Sequence, residues 1–161
     1  MRINRRRAVA AVAGLLVVAG LTLGAVALVR YRAAGVAHPI APPEGAVTPA
    51  MTDDQRAVID RGVIVALGLR NDRGDATVRS YELPAGSPWL RSRQVVATQL
   101  DHWEQIGDCA DRPEATIVEC AWREPTRWWP REVTLTMLRL PAKAGDTSRP
   151  TFVVIGSGLG E

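Results

Sequence analysis

Cysteine is almost absent from this chain: Cys109 and Cys120 are its only two, with ten residues between them. That spacing excludes a C-x-x-C redox or zinc pair, and with only His38 and His102 to help, no Cys/His metal site can be completed. There is no G-x-S-x-G, and Ser157 has no histidine at a spacing typical of a hydrolase. Phe152 is the only phenylalanine, so large core residues are scarce. Lys143 is the only lysine against nineteen arginines, a compositional skew that carries no mechanism. No catalytic constellation, metal or cofactor is expected from these residue types, and the chain is not expected to be an enzyme.

The absence that organises the sequence is that of charge between Ala8 and Val29. Arg5, Arg6 and Arg7 precede this apolar run, and Arg30 and Arg32 follow it. As a helix rising about 1.5 Å per residue, the run spans the roughly 30 Å hydrocarbon core of a bilayer. A permanent signal anchor over 8–29 is the favoured reading, because a cleaved signal usually has an apolar core of only about 7–15 residues. Two other readings stand beside it. Ala25-Val26-Ala27 offers an A-x-A cleavage pattern inside the run, and Gly35-Val36-Ala37 a looser one beyond it. Arg6-Arg7 also suits a twin-arginine signal, without the aromatic or Leu usual after the pair. The arginines before the span outnumber those close behind it, so the expected topology leaves 1–7 in the cytoplasm. The rest of the chain then lies outside the plasma membrane. Gly20 and Gly24 form a G-x-x-x-G that would let two such helices pair in a homodimer, although glycine is common in membrane helices of any kind.

The formal charge of +3 belongs to these flanks. No Asp or Glu occurs before position 33, whereas the remainder holds fourteen basic and seventeen acidic residues. A nucleic-acid-binding surface is therefore not expected, and the lipid bilayer is the partner the charges point to.

Residues 30–51 read as a Pro-rich linker, with Pro39, Pro42, Pro43 and Pro49 favouring extended backbone and His38 solvated within it. Fully extended, 33–50 would reach about 55 Å. A domain over 52–156 follows. Thr52 and Gln55 form a capping-box pattern before the periodic residues Val58, Ile59, Gly62, Val63, Ala66 and Leu67, with Asp53 and Asp54 on the helix's positive end. The alternative makes 63–69 a strand, turned at Asn71–Gly74 into 76–83. Ser87-Pro88 is expected to start a second helix that carries Val96, Leu100 and Trp103 on one face and stops at Gly107. Strands are expected over 115–122, 133–140 and 151–155, from alternation and β-branched runs. The expected fold class is α+β: one N-terminal transmembrane helix, then about two helices packed on a mostly antiparallel sheet of three or more strands.

The stretch Val65-Ala66-Leu67-Gly68-Leu69-Arg70-Asn71-Asp72, followed by Asp75-Ala76-Thr77-Val78-Arg79, resembles the opening of NTF2-like domains. The layout of one span and one outer domain is similar to that of Mce-associated membrane proteins. The resemblance implies a cone of helices against a curved sheet, sometimes enclosing a pocket for a small apolar ligand. It assigns no site residue.

Three further groups remain. Cys109 and Cys120 most simply form a disulfide in an oxidising compartment, tying the end of the second helix to the next strand. Asp101, His102, Glu104 and Asp108 make a polar cluster that reads as a solvated helix face rather than an acid–base or metal site. Arg127-Trp128-Trp129-Pro130, with Trp122 nearby, offers an aromatic surface for a partner, to which Arg123, Arg127 and Arg131 would add cation–π or phosphate contacts. Core packing of at least one Trp is the competing reading. Gly156–Gly160 follows a strand, but the sequence stops at Glu161 without the helix that binds phosphate in such loops, so 157–161 is expected to be a flexible tail. The favoured function is a bitopic envelope protein whose outer domain binds or scaffolds a protein or glycan partner. A pocket of the NTF2-like kind, or a domain secreted after cleavage, are the alternatives.

Overall fold

Apolar residues fall into one unbroken run and several periodic ones, and the computed structural model gives each kind its own element. It describes residues 5–50, 52, 55–69, 76–110, 112, 114–141 and 150–159. The unbroken run forms α1 (Arg5–Ala34), whose apolar side chains from Val9 to Val29 stay exposed. Only the last turn of α1 enters the domain, where Ala34 is buried.

The domain has α2 (Arg56–Gly68), β1 (Thr77–Glu82), α3 (Trp89–Thr98), β2 (Glu104–Ile106), β3 (Ile117–Arg123), β4 (Arg131–Arg139) and β5 (Thr151–Leu159). The strands form one antiparallel sheet in the order β1-β5-β4-β3-β2. The α+β expectation is met, with five strands among the described residues. Alternation sorts the side chains of each strand between two faces. Val118, Cys120 and Trp122 of β3, Val133, Leu135 and Met137 of β4, and Val153 and Ile155 of β5 join Trp89, Val96 and Leu100 of the α3 region in one core. Leu138, Phe152 and Val154 face the other way and meet Val58, Val65 and Leu69. The sheet is thus sandwiched, with α2 over the β1–β5 half of one face.

Several boundaries differ from the sequence expectations for local reasons. Gln55, not Thr52, stands at the N-cap of α2 and makes no side-chain cap, and its N–H instead donates to the Thr52 carbonyl at 2.8 Å. Residues 63–68 are helical and 77–82 are a strand, so the hairpin reading of this region does not hold. Pro88, in extended conformation, occupies the N-cap of α3 in place of Ser87. α3 ends at Thr98, well short of Gly107, because Gln99 turns its side chain back: Nε2 donates to the Val95 carbonyl at 2.8 Å and Oε1 accepts from the Ala41 N–H at 2.8 Å. After that turn Glu104–Ile106 pairs with β3, so Trp103 and Glu104 are not helical. Asp53, Asp54, the turn residues Asn71–Gly74 and Lys143 lie outside the described residues.

The 30–51 linker is not a spacer. Residues 30–34 continue α1, and 35–50 run as a strap along the domain. Val47 and Glu82 exchange backbone hydrogen bonds at 3.0 and 2.8 Å, covering part of the outer edge of β1, and Glu44 pairs with Arg91 at 3.1 Å. Pro43 and Pro49 are buried. Prolines disfavour regular ladders but still bury apolar rings, which the reading of a solvated linker overlooked.

The expected tail is also corrected. Gly156, Ser157 and Gly158 continue β5 in the middle of the sheet, Ser157 facing Thr77 on one side and Val133 on the other. Glycine is required at 156: a Cβ there would collide with Val65 and come within 2.7 Å of Leu69 and 2.8 Å of the Thr134 hydroxyl. Glycines in this strand mark close approach by α2, not flexibility. Gly160 and Glu161 lie outside the described residues.

Candidate functional site

The densest polar and aromatic contacts lie where α1 meets the sheet. Arg30 is the first charge after the apolar run, and its Nη1 donates to Glu124 Oε1 at 3.1 Å. Glu124 sits just after β3 and also receives both arms of Arg131, the first residue of β4, from Nε and Nη2 at 3.2 Å each. A backbone bond from Glu124 N–H to the Arg131 carbonyl at 3.0 Å fixes the two stems. This carboxylate, 14 % exposed, therefore bridges α1 to the sheet. Burial pushes its pKa up, but hydrogen bonds and charge from Arg131 and Arg30 outweigh this and leave it below the usual value.

Aromatic rings extend the same junction. The Arg131 guanidinium lies over the Trp103 ring at 5.6 Å, and the His38 ring meets Trp103 at 5.1 Å with a 45° tilt. His38 is thus half-buried in the junction, not solvated in a linker, and its backbone N–H donates to the buried Ser157 hydroxyl at 2.7 Å. Burial lowers the His38 pKa, the Arg131 charge lowers it further, and Glu124 partly opposes them. On the other flank the Tyr31 ring meets Trp129 edge-on, 5.4 Å between centroids. Two open grooves border this region. One of about 250 Å³ is lined by His38, Pro39, Thr77, Arg79, Tyr81 and Ser157, and one of about 390 Å³ by Arg30, His102, Trp103, Glu124, Pro125 and Thr126.

The residues singled out in the sequence separate. Trp122 is 3 % exposed in the core, so it is not part of a partner surface, because its place on β3 alternates inward with Val118 and Cys120. Trp129 is half-buried against Tyr31, whereas Arg127 and Trp128 are exposed. The Arg131 guanidinium makes an aromatic contact, with Trp103. Cys109 and Cys120 are joined as a disulfide with Cα atoms 4.8 Å apart, and the bond ties the loop after β2, not a helix end, to β3. Asp101 and His102 lie 3.5 Å apart at an exposed turn, and no group of metal-binding side chains occurs among the described residues. Gly20 and Gly24 have open space where a Cβ would stand.

Arg30, Tyr31, His38, Trp103 and Glu124 were not singled out as a group. Their signals were present but scattered: an aromatic and an arginine at the end of a span, and one acid in a loop of arginines. No family model, curated protein or solved structure matches the chain.

Proposed function

We propose that the chain is a single-pass membrane protein whose domain lies on the extracytoplasmic side of the plasma membrane and binds or scaffolds another envelope component. The observation that carries this reading is α1, a helix long and apolar enough to cross a bilayer whose apolar side chains find no cover in the domain. A water-soluble protein rarely leaves so long an apolar surface bare. The arginine balance and the Cys109–Cys120 bond support the same topology, since disulfides persist in oxidising compartments.

The face offered to a partner is the outer stripe of α2. Ile59, Val63 and Leu67 recur at i, i+4 and i+8, with Ile64 beside them, and Leu67 is 72 % exposed. A helix that buries Val58 and Val65 against the sheet while keeping a second apolar stripe outward has one more face than its own fold uses. A photo-crosslinker at Leu67 in native membranes tests this. A discrete protein or glycan adduct, lost in V63D, is the expected result, and the absence of any discrete adduct contradicts it.

An NTF2-like pocket for a small apolar ligand is the second reading. It draws support from a groove of about 380 Å³ beside α2, lined by Ile64, Leu69, Ile106 and Thr134 among others, near the Arg61–Glu119 ion pair. A crosslink from Leu67 to a lipid-sized molecule would favour it.

A further inference from the structure

The loop between β3 and β4 carries two consecutive tryptophans that go opposite ways. Trp129 turns onto Tyr31 of α1, while Trp128 is 44 % exposed. The divergence is set by Trp129, whose φ of 52° lies in the left-handed region. For a bulky residue that conformation is sparsely populated and persists only where surrounding contacts hold it. Here the chain keeps a strained turn whose effect is to present Trp128 outward.

The height of this loop is fixed by α1. The apolar run ends at Val29, and each leaflet's headgroup layer is about 5–7 Å thick. Residues 30–33 climb about 6 Å at 1.5 Å per residue, so they cross that layer. The β3–β4 loop is held to those same residues by the Arg30–Glu124 and Tyr31–Trp129 contacts. Arg32 on α1 and Arg127 beside Trp128 are both exposed, and neither forms an ion pair with another described residue. An exposed indole at this level, flanked by arginines, matches the preference of Trp for the boundary between apolar and wet regions.

We propose that Arg127 and Trp128 make a second membrane contact, the indole seated at the headgroup–acyl boundary and the guanidinium on lipid phosphate. The inference rests on the reading of α1 as a membrane span. It makes the domain a body seated on the bilayer by two points, the helix and the loop, rather than one swinging on a tether.

The test uses the full chain reconstituted in equimolar phosphatidylcholine and phosphatidylglycerol vesicles, first floated on a density gradient. Emission of the wild-type protein minus that of W128F isolates Trp128. A nitroxide on the lipid near the glycerol backbone should remove roughly half or more of that difference emission, with iodide having little effect, as for an interfacial indole. R127E, with the Cys109–Cys120 bond intact as a check of folding, should reduce the nitroxide effect. If the protein floats but Trp128 is quenched by iodide and not by the labelled lipid, the loop contact is refuted and the anchor stands. Shielding of Trp128 from both quenchers would mean that protein covers it and would also refute the lipid contact. Failure to float would overturn the span itself.

Discussion

Glu124 is the residue on which the junction depends, because it bridges Arg30 of α1 and Arg131 of the sheet. Replacing it with Gln keeps the shape but leaves Arg30 and Arg131 without the carboxylate they share. Hydrogen bonds to charged groups are worth about 1.5–3 kcal/mol each, and the partly solvated Arg30 contact less. E124Q should therefore lower stability by about 1–2 kcal/mol, read by thermal unfolding in detergent. The pH dependence separates two groups. Glu124 has a lowered pKa in the folded state, so its stabilisation is present above the ordinary carboxylate value of 4.5 and is lost as pH falls through the lower folded value. His38 is also lowered, so folding favours its neutral form: stability is greatest above 6.5 and declines as pH drops below it toward the folded value. In E124Q the Glu124 part of the acidic stage should be lost, while the decline below 6.5 should grow, because the Glu124 charge partly opposes the lowering of the His38 value. An unchanged pH profile would contradict the role assigned to Glu124.

Among the elements, α2 and β5 show how close packing can hide in a sequence that looks loose. Val65 and Leu69 rest directly on Gly156, and Leu69 also approaches Gly158, leaving 3.3 Å for a Cβ there. Gly156→Ala should push α2 away from the sheet and cost about 1–3 kcal/mol, the range for overpacked cores, with exchange protection lost first in α2. Gly68→Ala, where a Cβ meets nothing within 4 Å, is the control and should be neutral or slightly stabilising. The same pair of elements marks what was legible beforehand. Strands β3 and β4 could be read because alternation and β-branched residues state a half-buried strand locally, and α1 because an uncharged apolar run of that length is helical in each of its readings. The continuation of β5 through Gly156–Leu159 could not, since glycine's role there depends on a helix about ninety residues earlier in the chain. The end of α3 was equally hidden: Trp103 keeps helical spacing with Val96 and Leu100, yet Gln99 spends its side chain on Val95 and the strap. The junction was least legible of all. Arg30, His38, Glu124 and Arg131 each have an ordinary solvated alternative, Trp103 reads as part of an apolar helix face, and only the tertiary fold brings them together.

For the whole molecule, the consequence of these contacts is a change in reach. A proline-rich stretch that would carry a domain about 55 Å from a membrane if extended instead lies folded along the domain, while α1 ends against its sheet. The domain is thereby positioned beside the end of α1, with the α2 stripe outward and the Trp128 loop next to that helix end. On the proposed reading of α1 as a span, the α2 face would meet its partner near the bilayer surface. The central question for the molecule is whether α1 is a retained span and the domain an oxidised one. Peptide mass spectrometry of non-reduced, alkylated protein from carbonate-washed membranes addresses both at once. The expected result is that the protein stays with the membranes, that Ala8–Val29 is still attached, and that Cys109 and Cys120 are recovered as one linked peptide. Recovery in the wash with a new N-terminus after Ala27 or Ala37, or with both cysteines alkylated, would contradict it.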